Sequence, residues 1–523
     1  MSDTASNDSF SSFLPHRLSR KSFFRANAIL IALAVVKIAI HFWVNTFDSI
    51  FRDELYYIAC GNHLDFGYVD HPPFVALVAA VSRWLFGDSL FALRSFSAAA
   101  GAGMVVFAGL LVRQLGGGRF AEGLAALCVM IVPIYLGVHG FFSMNAFDQL
   151  FWLLGAYILV LIIQKESLGL WILFGVVMGI GLMNKISILF FGCGVFVGML
   201  LTSNRRWLLS KRIWIAVAIA FLIFLPHILW QIVHGWPTLE FIRNASQYKN
   251  LPLAPMEFLL SQILEIHPFL FPIWLAGLGW YLFSRAGKPF RLLGWIYITA
   301  VVILIVNKGK SYYLAPAYAM LFASGAIVIE HGIHRWGWNW LKPVLCLILI
   351  VGGIITAPMT LPILAPESFS AYSQAIGISP SAGERHEMGA LPQLFADRYG
   401  WEEMAAVVAS VYQTLTPEEQ ATCIIVAGNY GEAGAIDYFG KPYGLPNAIC
   451  GHNSYYFWRP ENLVFETAIV FGFSEENVRL FAEEVTPVAM IHHEYAMPYE
   501  SDLPVFLCRK IRSVDWSALK SFI

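Results

Sequence analysis

Long apolar runs separated by short polar stretches fill the chain from Asn27 to about Pro362, and then the pattern changes. A helix needs roughly 20 mostly apolar residues to cross the hydrocarbon core of a bilayer. Runs of about that length occupy 27–46, 89–115, 119–139, 145–164, 168–184, 186–202, 213–233, 257–283, 290–306, 312–330 and 341–362. They predict a mainly α, polytopic membrane protein with about 11 transmembrane helices. The stretch 71–87 is apolar but short and contains Arg83, so it reads as a helix lying in the interface. Residues 1–26 form a Ser-rich N-terminal tail ending in Arg17, Arg20, Lys21 and Arg25. The run that follows is too long for a signal-peptide core and reads as an uncleaved first span.

From Ala365 onward the periodicity is that of a small α/β domain, taken as 363–523 behind a 27–362 membrane domain. "WEEMAAVVASVYQTL" has helical spacing, "TCIIVAG" reads as a buried strand, and "ENVRLFAEEV" reads as a helix. "TAIVFGF" and "PVFLCRK" complete the predicted strands.

Loop charge sets the orientation. Arg113/Arg119, Arg205/Arg206/Lys211/Arg212, Arg285/Lys288/Arg291 and Arg335/Lys342 fall on the same side as the basic tail. By the positive-inside rule that side is cytoplasmic. An odd number of spans then places the C-terminal domain outside, periplasmic if the membrane is a bacterial inner membrane. The first external loop covers about 47–88 and opens with "FRDELYY".

Composition agrees: 58% of residues are hydrophobic and 13% charged, too apolar for a soluble domain. The formal net charge is -1 and the cations form no stripe, so no nucleic-acid partner is indicated. The seven cysteines show no metal-ligand spacing. Cys128, Cys193 and Cys346 sit in apolar helices, whereas Cys423, Cys450 and Cys508 lie in the tail, where export would permit a disulfide.

Against this background the paired acids Asp53 and Glu54 stand out. One use of acids there is to cap a helix. The other is catalytic, since a carboxylate at the water–lipid boundary can deprotonate a hydroxyl attacking a lipid-borne group. Their loop, about 40 residues long, is longer than a connector needs. In "YVDHPPF" the prolines enforce an extended entry to 74–87, and His71 is a candidate for a phosphate or a metal. "NKGKSYYLAP" puts Lys308, Lys310, Tyr312 and Tyr313 at the external end of a span. These are either interfacial anchors or, against the charge bias, ligands for a lipid phosphate. Asp148 and Lys185 lie close to the hydrocarbon, as do Lys37 and His41, four apart in the first span. "GNYGEAGAIDYFG" imitates a nucleotide loop, but Gly428, Gly431 and Gly434 do not give its glycine spacing. "GHNSYYFW" suits sugar stacking or plain packing.

The acid pair, "DHPPF", "LFG" at 85–87 and Arg94 form an ordered pattern that resembles the GT-C membrane glycosyltransferases. Within them it resembles glycosyltransferase family 39, which includes protein O-mannosyltransferases and lipid A aminoarabinose transferases. The resemblance spans about 45–330 and extends to Asp148, Lys185 and "KGKSYYLAPAYA". It implies a polyprenyl-phosphate-linked sugar donor and a lipid, glycan or protein acceptor at the external face of the membrane. It also implies catalysis by Asp53 with Glu54 as its neighbour, and donor-phosphate binding among His71, Arg94, Lys185, Lys308 and Lys310. Asp148, Tyr312 and Tyr313 would support them. No metal ligand set is assigned and no cofactor is required, although a divalent cation is compatible with this chemistry. The aminoarabinose transferases have Lys-Pro-Pro where this chain has His71-Pro72-Pro73, so the sugar and acceptor do not carry over. The competing class is a multi-pass transporter or flippase of a lipid-linked or anionic substrate. Its expected inverted repeat and paired broken helices are not visible in the sequence.

Overall fold

The computed structural model describes residues 20–377, 384–385, 387–459, 465–512 and 516–522, with side chains from Ala26 on. Arg17 and most of the expected 1–26 tail lie outside the described residues, and the first helix already begins at Arg20. Among the described residues, seven helices are long and apolar enough to cross a membrane, or up to ten if each bent pair is one crossing. The seven are Ala26–Val44, Leu90–Gln114, Met144–Lys165, Lys211–Val233, Lys288–Val306, Ser311–Trp336 and Leu341–Met359. The eleventh expected span is the shorter apolar helix Leu168–Asn184.

Three expected spans are not straight. Arg119–Ile131 and Pro133–Gly140 meet at 62°, Ile188–Leu200 and Ser203–Leu209 at 110°, and Pro255–Ile266 and Pro268–Phe283 at 99°. Two of the breaks fall at proline. Pro133 and Pro268 lack an N–H and would clash with the carbonyl four residues back, so the chain turns there. Small residues let helices close up elsewhere. A Cβ on Gly277 would lie 2.1 Å from the Leu321 carbonyl oxygen, and one on Gly325 would lie 2.0 Å from that of Ile273. The two helices thus touch backbone to backbone, the packing that small residues permit between membrane helices.

The first loop folds into two helices, Arg52–Asn62 and Phe74–Phe86. The second buries Val75, Ala76 and Ala79 and exposes Leu77, Val81, Trp84 and Phe86, the two-sided apolar character expected of an interfacial segment.

The tail carries a five-stranded sheet in the order β2-β1-β3-β5-β4. β1 (Cys423–Ala427) runs parallel to β2 (Ala448–Cys450) and β3 (Thr467–Val470). β5 (Leu503–Ile511) is antiparallel to β3 and to β4 (Ala482–Ile491). The stretch read as one helix from Glu476 to Val485 is helical only over Glu475–Val478 and then enters β4. Pairing of Val485 with Cys508 on β5 overrides the local helix preference of Leu, Ala and Glu. Cys423, Cys450 and Cys508 are buried on separate strands as free thiols.

One hydrophobic core joins the two parts of the chain. Leu55, Tyr56, Ala59, Val75 and Ala79 of the first loop pack in the same cluster as Met404, Val408, Ile425 and Ile436 of the tail.

Candidate active site

The adjacent acids of the first loop have separate surroundings. Glu54 sits in the first turn of Arg52–Asn62, and its Oε2 accepts the Phe51 N–H at 2.8 Å. The capping use therefore belongs to Glu54. Its Oε1 accepts the Phe142 N–H at 2.7 Å, and both oxygens are clasped by Arg94, from Nε at 2.8 Å and Nη2 at 2.7 Å. Arg94 also donates to Asn45 Oδ1 and to the carbonyls of Asp48 and Ser49, and pairs with Asp48 Oδ2 at 3.0 Å. Asp48 Oδ1 in turn holds Arg398 of the tail at 2.9 Å. All five Arg94 N–H groups are spent within the chain, and both Glu54 oxygens are occupied in full burial. The expected roles of Arg94 as a phosphate ligand and Glu54 as a catalytic acid are thereby corrected. The pair fastens the loop to the Leu90–Gln114 helix.

Asp53, one residue earlier and turned about 100° around the helix, faces a different environment. It is half-buried, and its Oδ1 accepts the Tyr430 hydroxyl at 2.9 Å. Among the described residues no hydrogen bond reaches its Oδ2. Burial raises the proton affinity of Asp53 above the ordinary carboxylate range. The Tyr430 hydrogen bond and the charges of Lys249 and Arg52 pull it back, and Asp70 pushes it up.

The lysines fall into three situations. Lys310 donates to Glu384 Oε1 at 2.5 Å, and Lys249 lies 3.6 Å from the same oxygen. Burial alone would raise the Glu384 carboxyl, but the two ammonium groups outweigh it and hold it down to about 2. Lys310 also feels the charge of Asp53. Lys185 donates to Asn145 Oδ1 at 2.6 Å and lies 4.7 Å from the Tyr313 ring centre. It lines a cleft with Asn145, Asp148, Gln149, Tyr312 and Tyr313, and Asp148 accepts the Ser187 hydroxyl at 2.6 Å. Lys308 is exposed on left-handed backbone (φ 52°) and is not gathered into this group.

His71 is also misplaced for a phosphate. Its ring is fully buried, Nδ1 lies 2.8 Å from the Pro72 carbonyl oxygen, and Nε2 lies 3.6 Å from Cys60 Sγ. The rings of Tyr56, Tyr57 and Tyr68 surround it. That enclosure corrects the expected contact with the donor. Lys37 and His41 are buried beside His139, with Lys37 Nζ 3.4 Å from the Tyr135 carbonyl oxygen, in a cluster separate from Asp53.

Tyr430, Lys249 and Arg52 are not among the site candidates that the sequence offers. Tyr430 lies in "GNYGEAGAIDYFG", whose glycines serve packing rather than phosphate. A Cβ on Gly431 would come within 2.8 Å of Arg52 Nε, and one on Gly434 within 2.8 Å of the Leu55 Cβ. Their absence seats the Tyr430–Phe439 helix on Arg52–Asn62. Asn429 accepts the Gly431 and Glu432 N–H groups and caps that helix. "GHNSYYFW" is committed to packing: Ser454 Oγ accepts Val69 N–H at 3.0 Å, and Trp458 stacks on His63 at 4.5 Å.

Known proteins match this chain both in sequence and in fold. The family model for dolichyl-phosphate-mannose-protein mannosyltransferase matches residues 70–230. A lipid A galacturonosyltransferase, RgtD of Rhizobium johnstonii, is 22% identical over 286 residues, which cover 53% of this chain and 59% of that relative. Among solved structures, ArnT from Cupriavidus metallidurans in the apo state superposes with TM-score 0.62 at 16% identity, over 92% of this chain and 98% of that one. The same protein bound to undecaprenyl phosphate gives 0.61 at 15% identity, with the same coverage. The oligosaccharyltransferase of Archaeoglobus fulgidus gives 0.52 at 12% identity, over 86% of this chain and 70% of that one. The chain is therefore a multi-pass membrane protein that shares the fold of these solved structures.

Proposed function

We propose that this chain transfers a hexosyl or pentosyl unit from a polyprenyl-phosphate donor to a hydroxyl of a lipid, glycan or protein acceptor. The reaction takes place at the outer face of a bacterial inner membrane, where the tail domain stands. The observation that carries the reading is the position of Asp53: a half-buried carboxylate of raised proton affinity, with Lys249 and Lys310 close enough to act on its charge. The fold shared with an enzyme solved with undecaprenyl phosphate, and the similarity to a lipid A galacturonosyltransferase, support a lipid-phosphate donor.

In this reading the acceptor oxygen attacks the anomeric carbon and forms the new C–O bond. Its proton passes to Asp53, and the bond from that carbon to the phosphate oxygen breaks with its electron pair on the phosphate. A base whose affinity is raised by burial works closer to neutral pH than an exposed aspartate. The leaving phosphate gains charge beside lysines, where fixed cations stabilise it most. Lys310 exchanges one anion, Glu384, for another. A single displacement inverts the anomeric carbon and uses no cofactor.

The test is an assay of reconstituted protein with a radiolabelled polyprenyl-phosphate sugar and a membrane extract as acceptor. Release of free polyprenyl phosphate with label in the extract is expected. Donor that crosses the bilayer intact, with no release, would replace the transferase by a flippase. A reporter active only after export, fused at the C-terminal end of the chain, checks the side of the membrane.

A further inference from the structure

The catalytic aspartate of this reading is contacted from the far end of the chain. Tyr430 stands 377 positions from Asp53, yet its hydroxyl donates to Asp53 Oδ1 at 2.9 Å. The placement is built rather than incidental. Tyr430 opens the Tyr430–Phe439 helix, capped by Asn429 and seated on the acid-pair helix through Gly431 and Gly434. Its ring is packed against the Arg52 guanidinium, 4.7 Å from the ring centre, against Tyr56, with centroids 4.8 Å apart, and against His452, at 4.9 Å. We infer that the tail domain is part of the transfer centre: Tyr430 is a positioning residue that fixes the Asp53 carboxylate and directs Oδ2 to the acceptor hydroxyl.

The inference rests on the transferase reading above and goes beyond it, because it gives the sheet domain a task in the chemistry. One hydrogen bond from Tyr430 fixes the rotation of the carboxylate and leaves one oxygen for the proton. It also favours the ionised form. The other groups acting on Asp53 are the cations Arg52, Lys249 and Lys310, the acids Asp70 and Asp397, and the phenols Tyr57 and Tyr312. All of them remain when only the Tyr430 hydroxyl is removed, so the change reports on that bond.

The experiment compares the pH profile of kcat/KM for wild type and Tyr430→Phe, with Asp53→Asn assayed alongside. Phenylalanine keeps the ring's contacts with Arg52 and Tyr56 and removes the donor. A hydrogen bond to a charged group is worth enough to shift the acid limb of the profile by about one pH unit. The shift is toward higher pH, because the proton is then held more tightly, and kcat should fall more than KM changes. Gly434→Ala, which keeps the Tyr430 hydroxyl but pushes its helix away from Leu55 and so draws that hydroxyl off Asp53, should move the limb in the same direction. An inactive Asp53→Asn together with an unmoved limb in Tyr430→Phe and Gly434→Ala would overturn this inference and leave the transferase reading standing. An active Asp53→Asn would overturn the assignment of the base, and the task of Tyr430 with it.

Discussion

Arg94 and Glu54 meet through two parallel hydrogen bonds, of 2.8 and 2.7 Å, with neither side chain reaching solvent. The fork of a guanidinium matches a carboxylate in this geometry, and Phe142 and Phe51 fill the remaining acceptor positions of Glu54. The neighbouring Asp53 is spared that engagement. Two acids adjacent in sequence therefore differ in kind, and substitution at each should fail differently.

Asp53→Asn is expected to insert and fold normally and to lose about 10²–10⁴-fold in turnover, the usual contribution of a general base. Glu54→Gln leaves a buried guanidinium short of charge and should cost about 3–5 kcal/mol of stability. Turnover measured beside thermal unfolding in detergent separates the two. Normal stability with low turnover in Glu54→Gln would move the base by one residue.

Arg94→Met should be destabilised in the same way, with an unchanged donor KM in the fraction that folds. The double variant Glu54→Gln/Arg94→Met should regain part of the loss, because no unpaired charge remains at the pair itself. A stable Arg94→Met enzyme with a raised donor KM would return this residue to the phosphate site.

The lysines of "NKGKS" should also separate. Lys310→Met removes a charge held beside Asp53 and should raise the donor KM by about tenfold, the order expected for one charge-assisted contact. Lys308→Met alters an exposed side chain and should leave the kinetics unchanged. Unchanged kinetics in both variants would mean that both serve only as anchors at the membrane surface.

Asp397 gives a prediction in pH. Burial, opposed by Arg52 and reinforced by Asp53 and Glu500, pushes its carboxyl up from 3.8 to about 7. The folded chain holds this proton more tightly than the unfolded chain, so ionisation costs stability progressively between pH of about 4 and 7. Asp397→Asn should be more stable than wild type at pH 8, and the advantage should vanish near pH 3.5. Thermal unfolding at the two pH values checks this, and a constant difference would mean that the carboxyl does not titrate in that window.

Much of this architecture was legible in the residues. Hydrophobic periodicity located every apolar helix, because membrane burial demands long runs that no loop can imitate. It could not show the bends at Pro133 and Pro268, where a run stays apolar while its direction changes. Three of the five strands were readable from β-branched and aromatic residues. β2 is three residues long, and β4 begins in a helix-like composition that only its pairing with β5 corrects. At the site, Asp53, Lys310, Lys185 and Asp148 were visible as charges out of place. Arg94 and His71 were visible for the same reason, yet their partners Glu54, Pro72 and Cys60 consume them. Tyr430 could not be found in advance, since nothing local distinguishes a tyrosine that meets a side chain 377 positions away.

The glycine seat of the tail helix on Arg52–Asn62 sets a limit on exchange between relatives. The side chains missing at Gly431 and Gly434 are matched to Arg52 and Leu55, so each surface is a mould for the other. A chimera that took its sheet domain from a relative with bulkier residues there would be held off the first loop. It would lose the hydroxyl over Asp53 although every membrane helix stayed intact. The sheet domain and the first loop are one heritable unit, and a working graft must carry both.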